Sequence, residues 1–365
     1  MIGNKVEIRP FEDCIKKVKY TNKVAGQDFK SSGRYPIVSQ EEAFISGYWD
    51  NPDDVFHIDG PVVIFGDHSR HVKYVDFDFV IGADGVKILA PVDDINAKFF
   101  YYYLKSQRIQ SLGYSRHYKV LKEKMVPVPS LADQQRIVAE LDLLSSIVEK
   151  KNAQLKTLDD LAQSIFYEMF GDVEEKTPLS TYVTELSGGK SLAGDEENQY
   201  KVLKTGAVTF DYFRGDDVKN LPLDYIPREE DRVKKGDLLI SRMNTAALVG
   251  AVAYVWDVKP NIYLPDRLWR ASLTEAANPI FIWKALIQFD AKQQIRSLAS
   301  GTSGTMKNIS KPKLLSITIP KTSREKQDSF AQRLRAIQRQ RNCIEESKKV
   351  AAVLFASRMD QYFNA

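Results

Sequence analysis

Four polar runs carry side chains that could do chemistry on a nucleic acid. Ser241-Arg242-Met243-Asn244 follows an apolar run and sets a guanidinium and a carboxamide two residues apart. Arginine's planar fork matches guanine O6 and N7, and asparagine matches adenine N6 and N7. Gly301-Thr302-Ser303-Gly304-Thr305-Met306-Lys307-Asn308 adds hydroxyls, an ammonium and a second carboxamide; hydroxyl and ammonium groups hold phosphates. Earlier in the chain, Phe65-Gly66-Asp67-His68-Ser69-Arg70-His71 with Lys73 beyond it, and Ser115-Arg116-His117-Tyr118-Lys119, offer the same mixture. The candidate contacts are therefore His68, Ser69, Arg70, Lys73, Arg116, His117, Tyr118 and Lys119 in the first half, and Arg242, Asn244, Thr302, Ser303, Lys307 and Asn308 in the second. Any one of them is equally an ordinary surface residue; the set gains weight by occurring twice.

Catalytic signatures are weak by comparison. Ser187-Gly188-Gly189-Lys190-Ser191 resembles the end of a phosphate loop, but the pattern needs a glycine where Thr184 stands. Asn51-Pro52 and Asn278-Pro279 continue with Asp and Ile, which reads as turns and not as an amino-methyltransferase motif. His68 and His71 lack the cysteine and carboxylate company of a metal set. Glu149-Lys150-Lys151 falls inside a helical pattern and reads as a solvated face. No catalytic residue, metal site or bound cofactor is expected in this chain.

The elements that must position these loops are legible from a repeat. At a shift of 193 residues, Gln134 pairs with Gln327, Leu141 with Leu334, Leu144 with Ile337, Leu161 with Leu354, Ser164 with Ser357 and Phe170 with Phe363. Each copy follows a Pro-containing strand, Val126-Pro127-Val128-Pro129 or Ile317-Thr318-Ile319-Pro320. In the first copy Ile137, Leu141, Leu144, Val148, Leu155, Leu158, Ala162, Ile165 and Met169 recur by threes and fours, with Lys151 as the break, and Gly171 stops the run. In the second, Phe330, Leu334, Ile337, Ile344, Ala351, Phe355 and Tyr362 keep the seam, interrupted by Arg341, Lys348 and Arg358. Neither single stripe is stable alone in water, so the two helices should pack on each other, antiparallel.

The remaining blocks alternate short apolar runs with turn residues. Residues 61–65 and 237–240 read as strands, 97–111 and 279–299 as helices. The blocks share anchors: Asn96 and Phe99 answer Asn278 and Phe281 at a shift of 182, and Gly60 to Phe65 answers Gly236 to Ser241. The expected fold class is α+β, with two globular α/β blocks, 1–130 and 172–322, joined by two long antiparallel coiled-coil helices, 131–171 and 323–365.

Bulk properties fit this division. At 365 residues the chain is long enough for more than one domain. A net charge of +4 decides little, so local patches must carry any affinity for an anion. Two distant cysteines, Cys14 and Cys343, and the lack of a long apolar stretch fit a reducing, cytoplasmic setting with no membrane span.

Val233-Lys234-Lys235-Gly236-Asp237-Leu238-Leu239-Ile240-Ser241-Arg242-Met243-Asn244 followed by Val249-Gly250, and the 301–310 run ending in Ile319-Pro320, resemble the target-recognition motifs of type I restriction–modification specificity (S) subunits. The first block, with Ile64-Phe65-Gly66-Asp67-His68 and residues 74–89, looks like another subclass of that domain, and Asp133-Gln134-Gln135-Arg136-Ile137 looks like the start of its spacer helix. The resemblance covers nearly the whole chain. It implies a non-catalytic subunit that reads a split, asymmetric site in double-stranded DNA, one half per domain. The helices would act as a ruler and as the dock for two methyltransferase (M) subunits and, in a full restriction system, two restriction (R) subunits. S-adenosylmethionine, ATP and Mg²⁺ would belong to those partners and not to this chain. Alternatives are a specificity subunit for a type IIB-like fused methyltransferase–nuclease, and a coiled-coil scaffold with no DNA role. The second helix departs from the family pattern at Arg324-Glu325-Lys326-Gln327 and in its three basic interruptions.

Overall fold

Ser130 and Ser323, 193 residues apart, each start a forty-residue helix. The Ser130 hydroxyl accepts the Asp133 N–H at 3.2 Å and donates to the Asp133 carboxylate at 2.8 Å. The Ser323 hydroxyl accepts the Lys326 N–H at 3.3 Å. Each thereby satisfies an N–H that the helix itself cannot. The helices run over Leu131–Phe170 and Arg324–Phe363, neither containing Gly or Pro. Gly171 closes the first by donating to the Tyr167 carbonyl at 2.8 Å. The departure at 324–327 therefore leaves the cap of the second helix intact.

The computed structural model describes residues 6–110, 113, 115–303 and 306–364, the side chains of Thr302 and Ser303 excepted. It divides into two compact units, 1–154 with 344–365, and 155–343. Both boundaries fall inside the long helices.

In the first unit a four-stranded sheet has the order Ile15–Lys16, Val86–Pro91, Val62–Gly66, Val72–Val75. A second sheet gathers Lys23–Val24, Phe79–Gly82, Tyr35–Val38 and Gly47–Trp49, with Val55–Phe56 also pairing Phe79–Gly82. The helix Ala97–Ser106 lays Phe99, Phe100 and Tyr103 onto Val63, Phe65 and Leu89 of the first sheet, and Ile137, Leu141, Met359 and Phe363 of the long helices close the same core. Glu7–Pro10 pairs antiparallel with Met125–Val128 beside it.

The second unit repeats the frame. Its four-stranded sheet runs Val183–Ser187, Leu268–Leu273, Leu238–Ser241, Val252–Tyr254, the same connectivity as in the first unit. Lys176–Pro178 pairs with Thr318–Pro320 as Glu7–Pro10 does with Met125–Val128. What differs is the decoration: a three-stranded sheet of Val218–Asn220, Lys201–Leu203 and Ile262–Tyr263, and a ribbon of Met243–Asn244, Met306–Asn308 and Ser300–Ser303.

The packing of the long helices corrects the expected seam. Ile137, Leu141, Leu144 and Leu158 are buried as expected, whereas Val148, Leu155, Ile165 and Met169 are only half-buried; Phe166 and Phe170 take the buried positions at the end. Likewise Phe330, Leu334 and Ile337 are buried, Phe355 is half-buried, and Met359 and Phe363 are buried. Over the last three turns the buried positions step by four, and Phe166 and Phe170 pack on Phe281 of the neighbouring short helix at 6.4 and 4.8 Å. In the second unit Phe166 and Phe170 ring Phe330 at 5.7 and 5.3 Å, while Arg333 meets Glu168 at 3.5 Å and Arg341 pairs with Asp159. Ascending one helix descends the other, so they are antiparallel there. Two of the basic interruptions are ion-paired across the helices, Arg341 with Asp159 and Arg358 with Glu140.

Two expected helices are shorter or broken. The 97–111 helix ends at Ser106, and the 279–299 pattern forms two helices, Pro279–Leu286 and Phe289–Leu298.

Candidate nucleic-acid interface

In the first unit the strand Val62–Gly66 enters a tight turn. Gly66 donates to His71 O at 2.9 Å and Arg70 to Gly66 O at 2.7 Å, with Arg70 in the left-handed region at φ 65°. Asp67, at the apex, joins three loops. Its N–H donates to Gly85 O at 2.7 Å, its carbonyl accepts the His117 N–H at 2.8 Å, and its carboxylate accepts the Tyr118 N–H at 2.7 Å. Lys87 stands 3.8 Å from the same carboxylate. Gln40 ties the other side: its side-chain oxygen accepts the His68 N–H at 3.1 Å and its carbonyl accepts the Ser69 hydroxyl. Gly85, at φ +85°, lies so close to Gln40 that a Cβ there would meet the carboxamide at 2.5 Å.

This geometry sorts the candidates. Lys73 and His117 are not surface contacts, which corrects the sequence-based expectation. Lys73 is 6% exposed, and its ammonium donates to the carbonyls of Ser39 and Ala43 at 2.8 and 2.5 Å. Burial pushes its pKa below the ordinary lysine value. His117 is fully buried, its Nδ1 3.0 Å from Asp67 O. Both stabilise the loop frame. Tyr118 is half-buried, edge-on to Phe11 and flanked by the ammonium groups of Lys87 and Lys122 at 5.3 and 5.6 Å. The solvent-facing cations are Arg70, Arg116 and Lys119; the Arg70 guanidinium also donates to Ile109 O at 3.0 Å. Asp67 and Gln40, which organise them, carry no sequence signal beyond a Gly-Asp pair after a strand.

In the second unit the ribbon brings four candidates together. Met243 pairs with Asn308 and Asn244 with Lys307. Arg242 is anchored by its backbone, donating to Arg267 O at 3.1 Å and accepting from Ile309 N at 3.0 Å. Its guanidinium lies over Trp269 at 5.7 Å, and its Nε is buried without a hydrogen-bond partner, as is Asn308 Oδ1. Two unpaired polar atoms in one ribbon are costly unless something else meets them. The Asn244 amide reaches Thr209 Oγ1 at 3.5 Å, and the Lys307 ammonium donates to Gly301 O at 3.1 Å. The side chains of Thr302 and Ser303, and residues Gly304 and Thr305, lie outside the described residues.

The phosphate-loop-like run ends the strand Val183–Ser187, and residues 188–200 are non-helical. The helix N-terminus on which such a loop depends is therefore missing at this place. Among the described residues, no group of three or more His, Cys, Asp or Glu side chains is arranged to hold a metal ion, and no helix is long and apolar enough to cross a membrane.

Residues 5–157 match the family model for the type I restriction modification DNA specificity domain. The specificity subunit of type I restriction enzyme EcoR124I/EcoR124II of Escherichia coli is 27% identical over 167 residues, 42% of this chain and 41% of that protein. The MjaVIII specificity subunit of Methanocaldococcus jannaschii is 24% identical over 253 residues, 63% of this chain and 58% of that protein. The EcoKI specificity subunit of Escherichia coli K12 is 23% identical over 266 residues, 65% of this chain and 57% of that protein. The chain thus spans about half the length of these curated relatives. In fold it is similar to the type I restriction–modification S subunit from M. genitalium, with a TM-score of 0.65 at 16% identity, covering 99% of this chain and 96% of that one. A chain from a structure of the assembly and conformational transition of a type I system gives 0.54 at 14% identity, covering 100% and 98%. Residues 5–157 thus match the type I restriction modification DNA specificity domain, and the chain as a whole is similar in fold to solved type I S subunits.

Proposed function

We propose that this chain is the non-catalytic subunit that gives a type I restriction–modification complex its DNA sequence specificity. Each unit reads one half of a split, asymmetric site in double-stranded DNA. The observation that carries this reading is one frame built twice with different loops. The four-stranded sheets share their connectivity, while the first unit displays the Asp67-centred turn and the second a three-stranded ribbon. A common frame with unlike reading surfaces suits two unlike half-sites. Two strands of that ribbon, Met243–Asn244 and Met306–Asn308, carry candidate contacts as an antiparallel pair, the element that the major groove of B-DNA admits.

In this reading the long helices set the spacing between half-sites and bind two methyltransferase subunits, with two restriction subunits joining them in a restricting complex. Exposed Leu143, Val350, Val353 and Leu354 in the first unit and Leu161 and Tyr167 in the second support an apolar dock on the helices. S-adenosylmethionine, ATP and Mg²⁺ act in those partners, and this chain supplies no reacting group.

Methylome sequencing of a host with and without the gene tests the proposal. The expected result is one bipartite methylated motif that vanishes with the gene. An unchanged methylome, in a host that expresses the chain and its methyltransferase, would overturn it.

A further inference from the structure

A cleft of about 460 Å³ opens in the second unit beside the ribbon, lined by Ser191, Lys204, Thr205, Lys219, Asp266 and Arg267 among others. Three cations face one carboxylate there, and that carboxylate is occupied: Asp266 accepts the Ser191 hydroxyl. Lys204 keeps a loose partner outside the lining, Asp217 at 3.9 Å. Lys219 and Arg267 make no ion pair among the described residues. The cleft thus holds net positive charge that the chain itself leaves uncompensated.

Its walls are built. The Ser187-Gly188-Gly189-Lys190-Ser191 run forms one side: Gly189 donates to Pro265 O at 3.1 Å, and Asp266 N–H donates to Ser191 Oγ at 3.3 Å. The opposite side comes from the sheet that carries Lys201–Leu203 and Val218–Asn220. The floor is continuous with the ribbon, because the Arg267 carbonyl accepts the Arg242 N–H.

We infer that this cleft grips the phosphodiester backbone of the duplex, with Lys204, Lys219 and Arg267 as positioning cations that seat Arg242 and Asn244 against base edges. The inference rests on the DNA-reading role proposed above and adds to it the residues that supply affinity without sequence information. A carboxylate-poor, cation-lined and open groove next to a base-reading element is what tracking of a polyanion requires. It also accounts for the glycine-rich run: the glycines let its backbone lie against residues 264–266, where a Cβ on Gly189 would meet Leu264 O at 2.0 Å.

The test is duplex binding by the full chain with its methyltransferase, measured against salt from 50 to 200 mM, for wild type, K204Q/K219Q/R267Q and the charge-keeping K204R/K219R/R267K. The logarithmic salt slope should fall by about 0.9 for each phosphate contact removed, about 2.7 for the triple glutamine variant. The loss should be equal on target and non-target duplexes, and the charge-keeping variant should restore it. An unchanged slope in a wild type that binds DNA would overturn the inference while leaving the proposed function standing; a wild type with no affinity for its duplex would overturn both. A selective loss on one half-site would assign base reading to the cleft and end the phosphate assignment, and so would loss of inorganic phosphate binding with duplex binding intact.

Discussion

The side-chain oxygen of Gln134 accepts the backbone N–H of Asn96 at 2.7 Å, and Gln327, 193 residues later, accepts the N–H of Asn278 at 2.8 Å. Both glutamines are fully buried. Each spends its amide in the same way, on the carbonyl two residues before that asparagine and on the carbonyl five residues before itself: Asp94 and Pro129 for Gln134, Ala276 and Thr322 for Gln327. The asparagines in turn cap the helices Ala97–Ser106 and Pro279–Leu286. One carboxamide thus locks the first turn of a long helix to the capping turn of a short one, once in each unit.

Gln134→Ala or Gln327→Ala should therefore cost more than the loss of one contact. Three backbone groups, one buried and two part-buried, lose their partner, at about 1–3 kcal/mol for a buried group left unsatisfied. We expect at least about 2 kcal/mol of destabilisation for either substitution, read as a lowered urea midpoint with an unchanged slope. A midpoint shift equivalent to less than about 0.5 kcal/mol, the size of an ordinary surface change, would show that water replaces the carboxamide without cost.

An aromatic plug follows the same repeat. Phe363 sits 5.2 Å from Phe99 in the first unit, and Phe170 sits 4.8 Å from Phe281 in the second. Phe363→Ala and Phe170→Ala should each cost about 3–5 kcal/mol, the price of a large cavity in a packed core. Leucine should recover much of it. Calorimetry or denaturant unfolding of the full chain measures this, and equal stability of the alanine and leucine variants would contradict the packing.

These two contacts explain how much was legible beforehand. The 193-residue shift and the 182-residue anchors paired Gln134 with Gln327 and Phe99 with Phe281, because repeated contacts need repeated residue types. The helix seam was legible at Ile137, Leu141, Leu144 and Leu158, but Val148 and Leu155 between them are only half-buried, and at the end Phe166 and Phe170 displaced Ile165 and Met169 from the buried positions. Burial there is decided by what the neighbouring short helix presents, which periodicity does not encode. The loops were least legible. Lys73 and His117 have the residue types of a DNA contact, yet long-range hydrogen bonds to Ser39, Ala43 and Asp67 turn them inward. Gln40 carries no motif at all, and Asp67 only that of a Gly-Asp pair after a strand.

Arg242 is the sharpest candidate for reading a base. Its Nε is buried and unpartnered while its guanidinium rests over Trp269, so the fork is pre-oriented with little rotamer freedom left to lose. Arg242→Ala should weaken recognition by about 1–3 kcal/mol and relax it at one position of one half-site, leaving the other half untouched. Arg242→Lys should restore little, since an ammonium cannot make the bidentate contact. Methylation of a randomised-site library by the assembled complex reads this out. Uniform loss across all sequences would reassign Arg242 to a phosphate.

The helices carry the last prediction. Deleting 150–156 together with 344–350 removes one heptad from each forty-residue helix and shortens it by about 10 Å. Seven residues are close to two whole turns, so the apolar faces stay aligned and Phe170 and Phe363 keep their orientation. If the helices measure the gap in the DNA site, the methylated motif should keep both half-sites and lose about three base pairs between them, at about 3.4 Å per base pair. Deleting five residues from each helix instead rotates one end by well over a quarter turn at 3.6 residues per turn, and should abolish binding, not shift the gap. A heptad deletion that folds and methylates with the original gap would show that spacing is set elsewhere, by flexibility of the complex or by bending of the duplex.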